Sequence, residues 1–411
     1  MRGISLSTAP ADATPEQRRN FLNVQIDGIG VGIATAASPF LPVFLTRLGA
    51  SNAQVGLLTA MPGVTGLVMA VVIGRLLQGQ RQIVPWFSFA RLLVVSAYAL
   101  TGIVSLILPP EYAIVAVLAV WALATIPQVV VNITWSLVMN AVAGPAHRYD
   151  LLTRRWTLMG LTSAIAVAAV GQVLNALTFP INYPIVFIGL SLGGLVSFYF
   201  STHITLPDAQ PQPVHPGLSP RERISGYFSL IAKERPFVSF MLNRFVYMFG
   251  ATLGMPLFPL FFVRVLDAND AWIGLISTAQ TGVMLVGYVL WSRLSKARSS
   301  RFVLLSTVFG MVLYPALTAF APRIEYVVIY AAIAGLFQAG LELVFFDELM
   351  KTIPVEHAAT FVSAAQSLQY LATVASPLIG AWLADSIGLS GALMVSAGLR
   401  FIGFLLFLKN R

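Results

Sequence analysis

Apolar runs of about 20 residues, the length an α-helix needs to cross a bilayer, recur along this chain with polar breaks between them. They lie near residues 21–45, 54–75, 83–108, 112–140, 156–178 and 183–201, and again near 237–262, 272–292, 301–321, 326–350, 358–384 and 390–408. The pattern predicts an all-α membrane protein with twelve transmembrane helices in two bundles of six. It divides the chain into a cytosolic tail (1–20), an N-terminal bundle (21–201), a linker (202–236), a C-terminal bundle (237–408) and a short cytosolic end (409–411).

The linker is the one long polar interval. Its first part, "LPDAQPQPVHPGLSP", is proline-rich and reads as extended chain. In the next stretch Ser219 and Glu222 have capping-box spacing. Ile224, Tyr227, Phe228 and Ile231 share one helical face opposite Arg221, Arg223 and Lys233. That predicts a short helix lying on the inner membrane surface.

Composition agrees with the hydropathy. Hydrophobic residues make up 57% of the 411 and charged residues 10%, against about 25% charged in soluble domains; mean hydropathy is +0.81. The formal charge of +9 would suggest an acidic partner in a soluble chain. Here nineteen of the 25 Lys and Arg fall on segments that are cytosolic if both termini are cytosolic. Three (Arg47, Arg264, Arg323) fall on outer loops and three (Arg91, Arg244, Arg400) within spans. That asymmetry sets the orientation by the positive-inside rule and points to the inner (plasma) membrane. There is no cysteine, and the four histidines are scattered, so disulfides, thiolate chemistry and a cysteine metal site are excluded. No nucleophile stands beside a base, so the reading is not an enzyme and calls for no cofactor.

The two halves repeat. "PVFLTRLGASNAQVGLLTA" (42–60) aligns with "PLFFVRVLDANDAWIGLIST" (259–278). Pro42, Phe44 and Arg47 match Pro259, Phe261 and Arg264 at an offset of 217, and after a one-residue insertion Gly56 matches Gly274. A second block, "ATIPQVVVNITW" over "AGLFQAGLELVF", pairs Gln128 with Gln338 and Asn132 with Glu342 at an offset of 210. Two six-helix halves in parallel repeat, joined by a cytosolic linker, resemble the major facilitator superfamily over residues 20–408. The family's loop motif G-x-L-x-D-R-x-G-R-R is partly kept in "GRLLQGQRQ", where Gly74 and Leu76 fit but Gln78 stands in the aspartate's place. The G-x-x-x-G-P-x-x-G-G pattern of its drug antiporters is absent from the fifth span, which has Gly160 and Gly171 alone. The proline-rich outer end of the first span and its Asp-Gly pair look like bacterial members of the superfamily.

The resemblance implies that the first, fourth, seventh and tenth spans line a central cavity, with the substrate near the midplane. Each carries a polar residue: Asp27, Asn132, Arg244 and Glu342. The 217 offset carries Asp27 onto Arg244, and all four lie roughly 10–16 Å inside the inner boundary. A lone charge near the bilayer centre costs about 2.5–3.5 kcal/mol, so Asp27 is expected to pair with Arg244 across the halves, with Glu342 as the competing acid. Gln128 and Gln338 stand one turn away from Asn132 and Glu342. Asp347 and Glu348 are expected to meet the basic loop 293–301, and with Arg75 and Arg293 to form an inner gate. Arg91 and Arg400 are expected to snorkel toward the interface.

The function this pattern implies is a secondary active transporter that moves a small solute by alternating access, with protons as the candidate coupling ion. The alternative is a non-transporting protein of the same fold, acting as an assembly factor or sensor. A charged cavity favours transport. The implied partners are a small-molecule substrate, protons and the lipid bilayer, with no nucleic acid, and the chain is read as a monomer.

Overall fold

The computed structural model describes residue 9 and residues 13–78, 80–207, 231–353 and 358–409. The expected capping pair Ser219 and Glu222, and most of the expected interfacial helix, lie outside the described residues. Every regular element among the described residues is helical: α1 (Pro15–Thr35), α2 (Phe40–Arg47), α3 (Asn52–Gln78), α4 (Val84–Ile107), α5 (Pro110–Ala176), α6 (Asn182–Thr202), α7 (Arg235–Gly254), α8 (Leu257–Arg264), α9 (Asp270–Ala297), α10 (Ser300–Ala319), α11 (Ile324–Thr352) and α12 (Ala358–Lys409).

Ten helical runs among the described residues are long and apolar enough to cross a membrane. The last, Ala364–Lys409, covers two of the runs expected from hydropathy, broken at Gly388, whose φ of 79° suits glycine. α3 carries a further expected run outside those ten. α5 holds two runs, Pro110–Ala143 and Arg154–Ala176. Large apolar side chains point outward, among them Val68, Leu123 and Trp382, each more than 60% exposed. In water such a surface would be an aggregation liability; in lipid it is the solvated face. The chain is an integral multi-pass membrane protein.

α1 begins inside the segment 1–20 that was expected as the tail. Thr14 and Gln17 form a capping box: Thr14 Oγ1 accepts from the Gln17 amide at 3.2 Å, and Gln17 Oε1 accepts from the Thr14 amide at 3.0 Å. Pro15 at the first helical position pre-sets φ. The T-P-E-Q signal therefore starts α1 six residues before the apolar run.

The repeat is visible in the backbone. Prolines break both spans after a first segment, and α2 and α8 coincide end for end under the 217 offset, Phe40–Arg47 over Leu257–Arg264. α3 and α9 then begin at Asn52 and Asp270, one residue further on.

The chain forms two compact units that differ from a simple division into 21–201 and 237–408. The first comprises the described residues of 1–49, 68–213 and 269–278; the second those of 50–67, 214–268 and 279–411. In the first, α1 and α4 each pack on α5 and α6. In the second, α12 packs on α7 and α10, and α10 on α11. Each unit thus takes one helix beginning from the other sequence half. Absence of a side chain permits the exchange: a Cβ on Gly171 would meet Asp270 O at 2.9 Å and Gly274 Cα at 3.1 Å.

Candidate functional site

Asp27 sits in the middle of α1 and is fully buried. Its Oδ2 accepts a hydrogen bond from Arg155 Nη2 at 2.9 Å, and its Oδ1 accepts one from the Ser197 hydroxyl at 2.5 Å. All three belong to the first unit. Gly28 makes room for the arginine, since a Cβ there would stand 2.8 Å from Arg155 Cγ. The Arg155 guanidinium lies over the Trp135 ring at 5.7 Å, and Trp135 stacks on Trp156. Arg91 stacks on Phe87 at 4.8 Å, close enough to feel the Asp27 charge.

This corrects three expectations. Asp27 is partnered by Arg155 and Ser197, not by Arg244. Arg155, counted among the inner-loop cations, is 2% exposed and the direct counter-ion. Arg91 and Arg400 are buried instead of snorkelling, and Arg400 donates to the carbonyls of Met311 and Ala251 at 3.0 and 3.4 Å. Burial explains all three: a charge inside a bundle is held by the nearest group that compensates it.

The amide pairs behave as their spacing predicts. Gln128 Nε2 donates to Asn132 Oδ1 at 2.8 Å, and Gln338 Nε2 donates to Glu342 Oε1 at the same distance. One local geometry thus occurs at both repeat positions, with an acid replacing the amide in the second half. Both Asn132 and Glu342 lie on exposed faces. Glu342 gains a second donor that sequence reasoning missed, the hydroxyl of Tyr288 on α9.

Arg244, on α7, donates to Gln369 Oε1 at 3.1 Å and lies 5.5 Å from the centre of the Phe345 ring. Asp347 and Glu348 meet Lys351 at 2.6 and 3.0 Å, with Ser300 Oγ hydrogen-bonded to both carboxylates. The expected basic-loop latch is therefore closed by Lys351 and a serine. Arg293 is exposed, and the Arg75 side chain lies outside the described residues.

Known proteins place this architecture. Residues 240–411 match the family profile described as Major Facilitator Superfamily. The chain is 24% identical over 161 residues to the "Multidrug resistance protein MdtG" of Proteus mirabilis (strain HI4320); the match spans 38% of this chain and 40% of that relative's length. Among solved structures, a bacterial homologue of the iron transporter ferroportin superposes with a TM-score of 0.71 at 14% identity, covering 96% of this chain and 99% of that one. The nucleoside transporter NupG gives 0.66 at 13% identity, covering 95% and 99%. The family profile covers the C-terminal part of the chain alone, and the likeness of the whole chain to these solved structures is one of fold.

Two further contacts join residues from opposite sequence halves, each inside a single unit. In the first unit Asp270 Oδ1 takes Arg47 Nη2 at 3.1 Å and the Tyr183 hydroxyl at 2.5 Å. In the second, Arg264 Nη1 donates to Asn52 Oδ1 at 2.6 Å, and Asn52 Nδ2 donates to Asp385 Oδ1 at 2.7 Å. Arg47 and Arg264 are repeat equivalents, and so are Asn52 and Asp270. The first contact is an ion pair, whereas in the second an amide relays between the charges.

Proposed function

We propose that this protein is a secondary carrier that moves a small solute across the inner membrane by alternating access, without ATP. The observation that most strongly supports the reading is the likeness, over 95% or more of the chain, to solved transporters. Both termini face the cytosol in this reading, and the monomer is the working unit. Asn132, Gln128, Gln338, Glu342 and Arg244 contact solute or coupling ion. Asp27 fixes Arg155 and Ser197 in the first bundle.

Protons are the coupling ion, and Glu342 carries them. Asp27 is committed to a guanidinium, whereas Glu342 has two neutral donors and no cation within 4 Å among the described residues. A carboxylate held that way changes its local network when protonated, because one oxygen turns from acceptor to donor. The test is uptake into proteoliposomes from a solute panel, with and without an imposed pH gradient. Wild type should accumulate a solute with the gradient. Glu342→Gln should lose that stimulation yet keep solute exchange at equal pH. Gradient stimulation unchanged in Glu342→Gln would remove the residue from coupling, and no wild-type uptake above empty liposomes would count against transport itself.

A further inference from the structure

The intramembrane arginines are not equivalent. Arg155 has the Asp27 carboxylate, Arg91 sits within reach of the same charge, and Arg400 has two backbone carbonyls. Arg244 has the neutral amide oxygen of Gln369 and a ring face, and among the described residues no carboxylate lies within 4 Å of it. Its Nε is buried and makes no hydrogen bond. Arginine stays protonated in proteins and offers five donors in a planar fork. One amide oxygen leaves most of that fork unused.

The space beside it is built for an apolar neighbour. Met241, Phe245 and Met248 of α7 and Ala365 and Leu368 of α12 line a small, half-open cleft next to Arg244 and Gln369, with a cavity volume of about 10 Å³. That is far below the roughly 300 Å³ at which whole small-molecule pockets begin, so the cleft admits one small polar group at the guanidinium, with the rest of a ligand along its open apolar rim. A carboxylate matches the guanidinium fork bidentately, and the methionine and phenylalanine walls match a hydrocarbon or aromatic body.

We propose that Arg244, with Gln369 and the apolar wall of α7 and α12, is a subsite for the carboxylate of an apolar organic acid. Calling that acid a cargo rests on the transport reading; the binding does not.

The test uses purified full-length protein in detergent, with benzoate as probe and benzamide as its neutral isostere, read by isothermal calorimetry and by thermal stabilisation. Benzoate should bind and raise Tm with concentration, and benzamide should do neither. Arg244→Gln should weaken benzoate binding by at least about tenfold. Should that variant fail to fold, Gln369→Glu keeps the proposal open to refutation. It places a carboxylate against the guanidinium, and should raise Tm without ligand and abolish the benzoate response. Equal responses to benzoate and benzamide, or a benzoate response surviving unchanged in Gln369→Glu, would overturn the subsite. So would wild type that carries a solute in liposomes and ignores benzoate, an outcome that leaves transport standing.

Discussion

At the scale of single residues the Asp27–Arg155–Ser197 cluster dominates, because it holds the most deeply buried charge pair among the described residues of the first unit. Removing one member of a buried pair leaves the other uncompensated, at a cost of about 3–5 kcal/mol, whereas replacing both is far milder. Asp27→Asn and Arg155→Gln should each lower thermal stability in detergent by that order, and the double variant should fall well short of the sum. Additive losses in that double-mutant cycle would mean that the two side chains do not act as a pair. The sequence identified Asp27 as an intramembrane acid but not its partner. Arg154 and Arg155 are adjacent at the start of an apolar run, and a loop-charge count takes both. Helical phase separates them: Arg154 is exposed and Arg155 faces inward, one turn before Met159, whose carbonyl packs close to Gly32. Spacing along one helix cannot reveal which neighbouring helix that face meets. Tyr288 escaped for the same reason, since its contact with Glu342 crosses from α9 to α11.

Elements were easier to read than contacts. The Pro-containing breaks and the 217 offset placed α2 over α8, and the i, i+4 spacing placed Gln128 on Asn132 and Gln338 on Glu342, because both depend on local geometry alone. The capping box at Thr14 was present in the sequence, but the apolar run that announced the span begins seven residues later. What the pattern could not show is where a helix leaves its own half. Gly171 is one such place and Gly189, where an added methyl would have nothing within 4 Å, is not. Gly171→Leu should therefore destabilise by about 1–3 kcal/mol through overpacking. Gly189→Ala should be neutral or stabilising by up to about 1 kcal/mol, because alanine favours helix. Matched thermal melts of the two variants check this, and equal melting temperatures would remove the tight seam.

For the whole molecule, the absence of cysteine gives a direct handle on the cross-half contacts. In the transport reading the Arg47–Asp270 pair forms and breaks during each cycle. The double variant R47C/D270C, joined by a short reducible thiol cross-linker, should stop uptake, and reductant should restore it. Full uptake by the cross-linked protein would take this contact out of the cycle. The same exchange of helix beginnings has a consequence for how the protein is made. Because the first unit includes residues 269–278, the ribosome must synthesise well into the second half before the first can finish assembling. Until then the Gly171 seam of α5 lacks its partner and Tyr183 lacks Asp270. The contacts of the first unit can therefore close only once the chain has been made through residue 278, well past the sixth span.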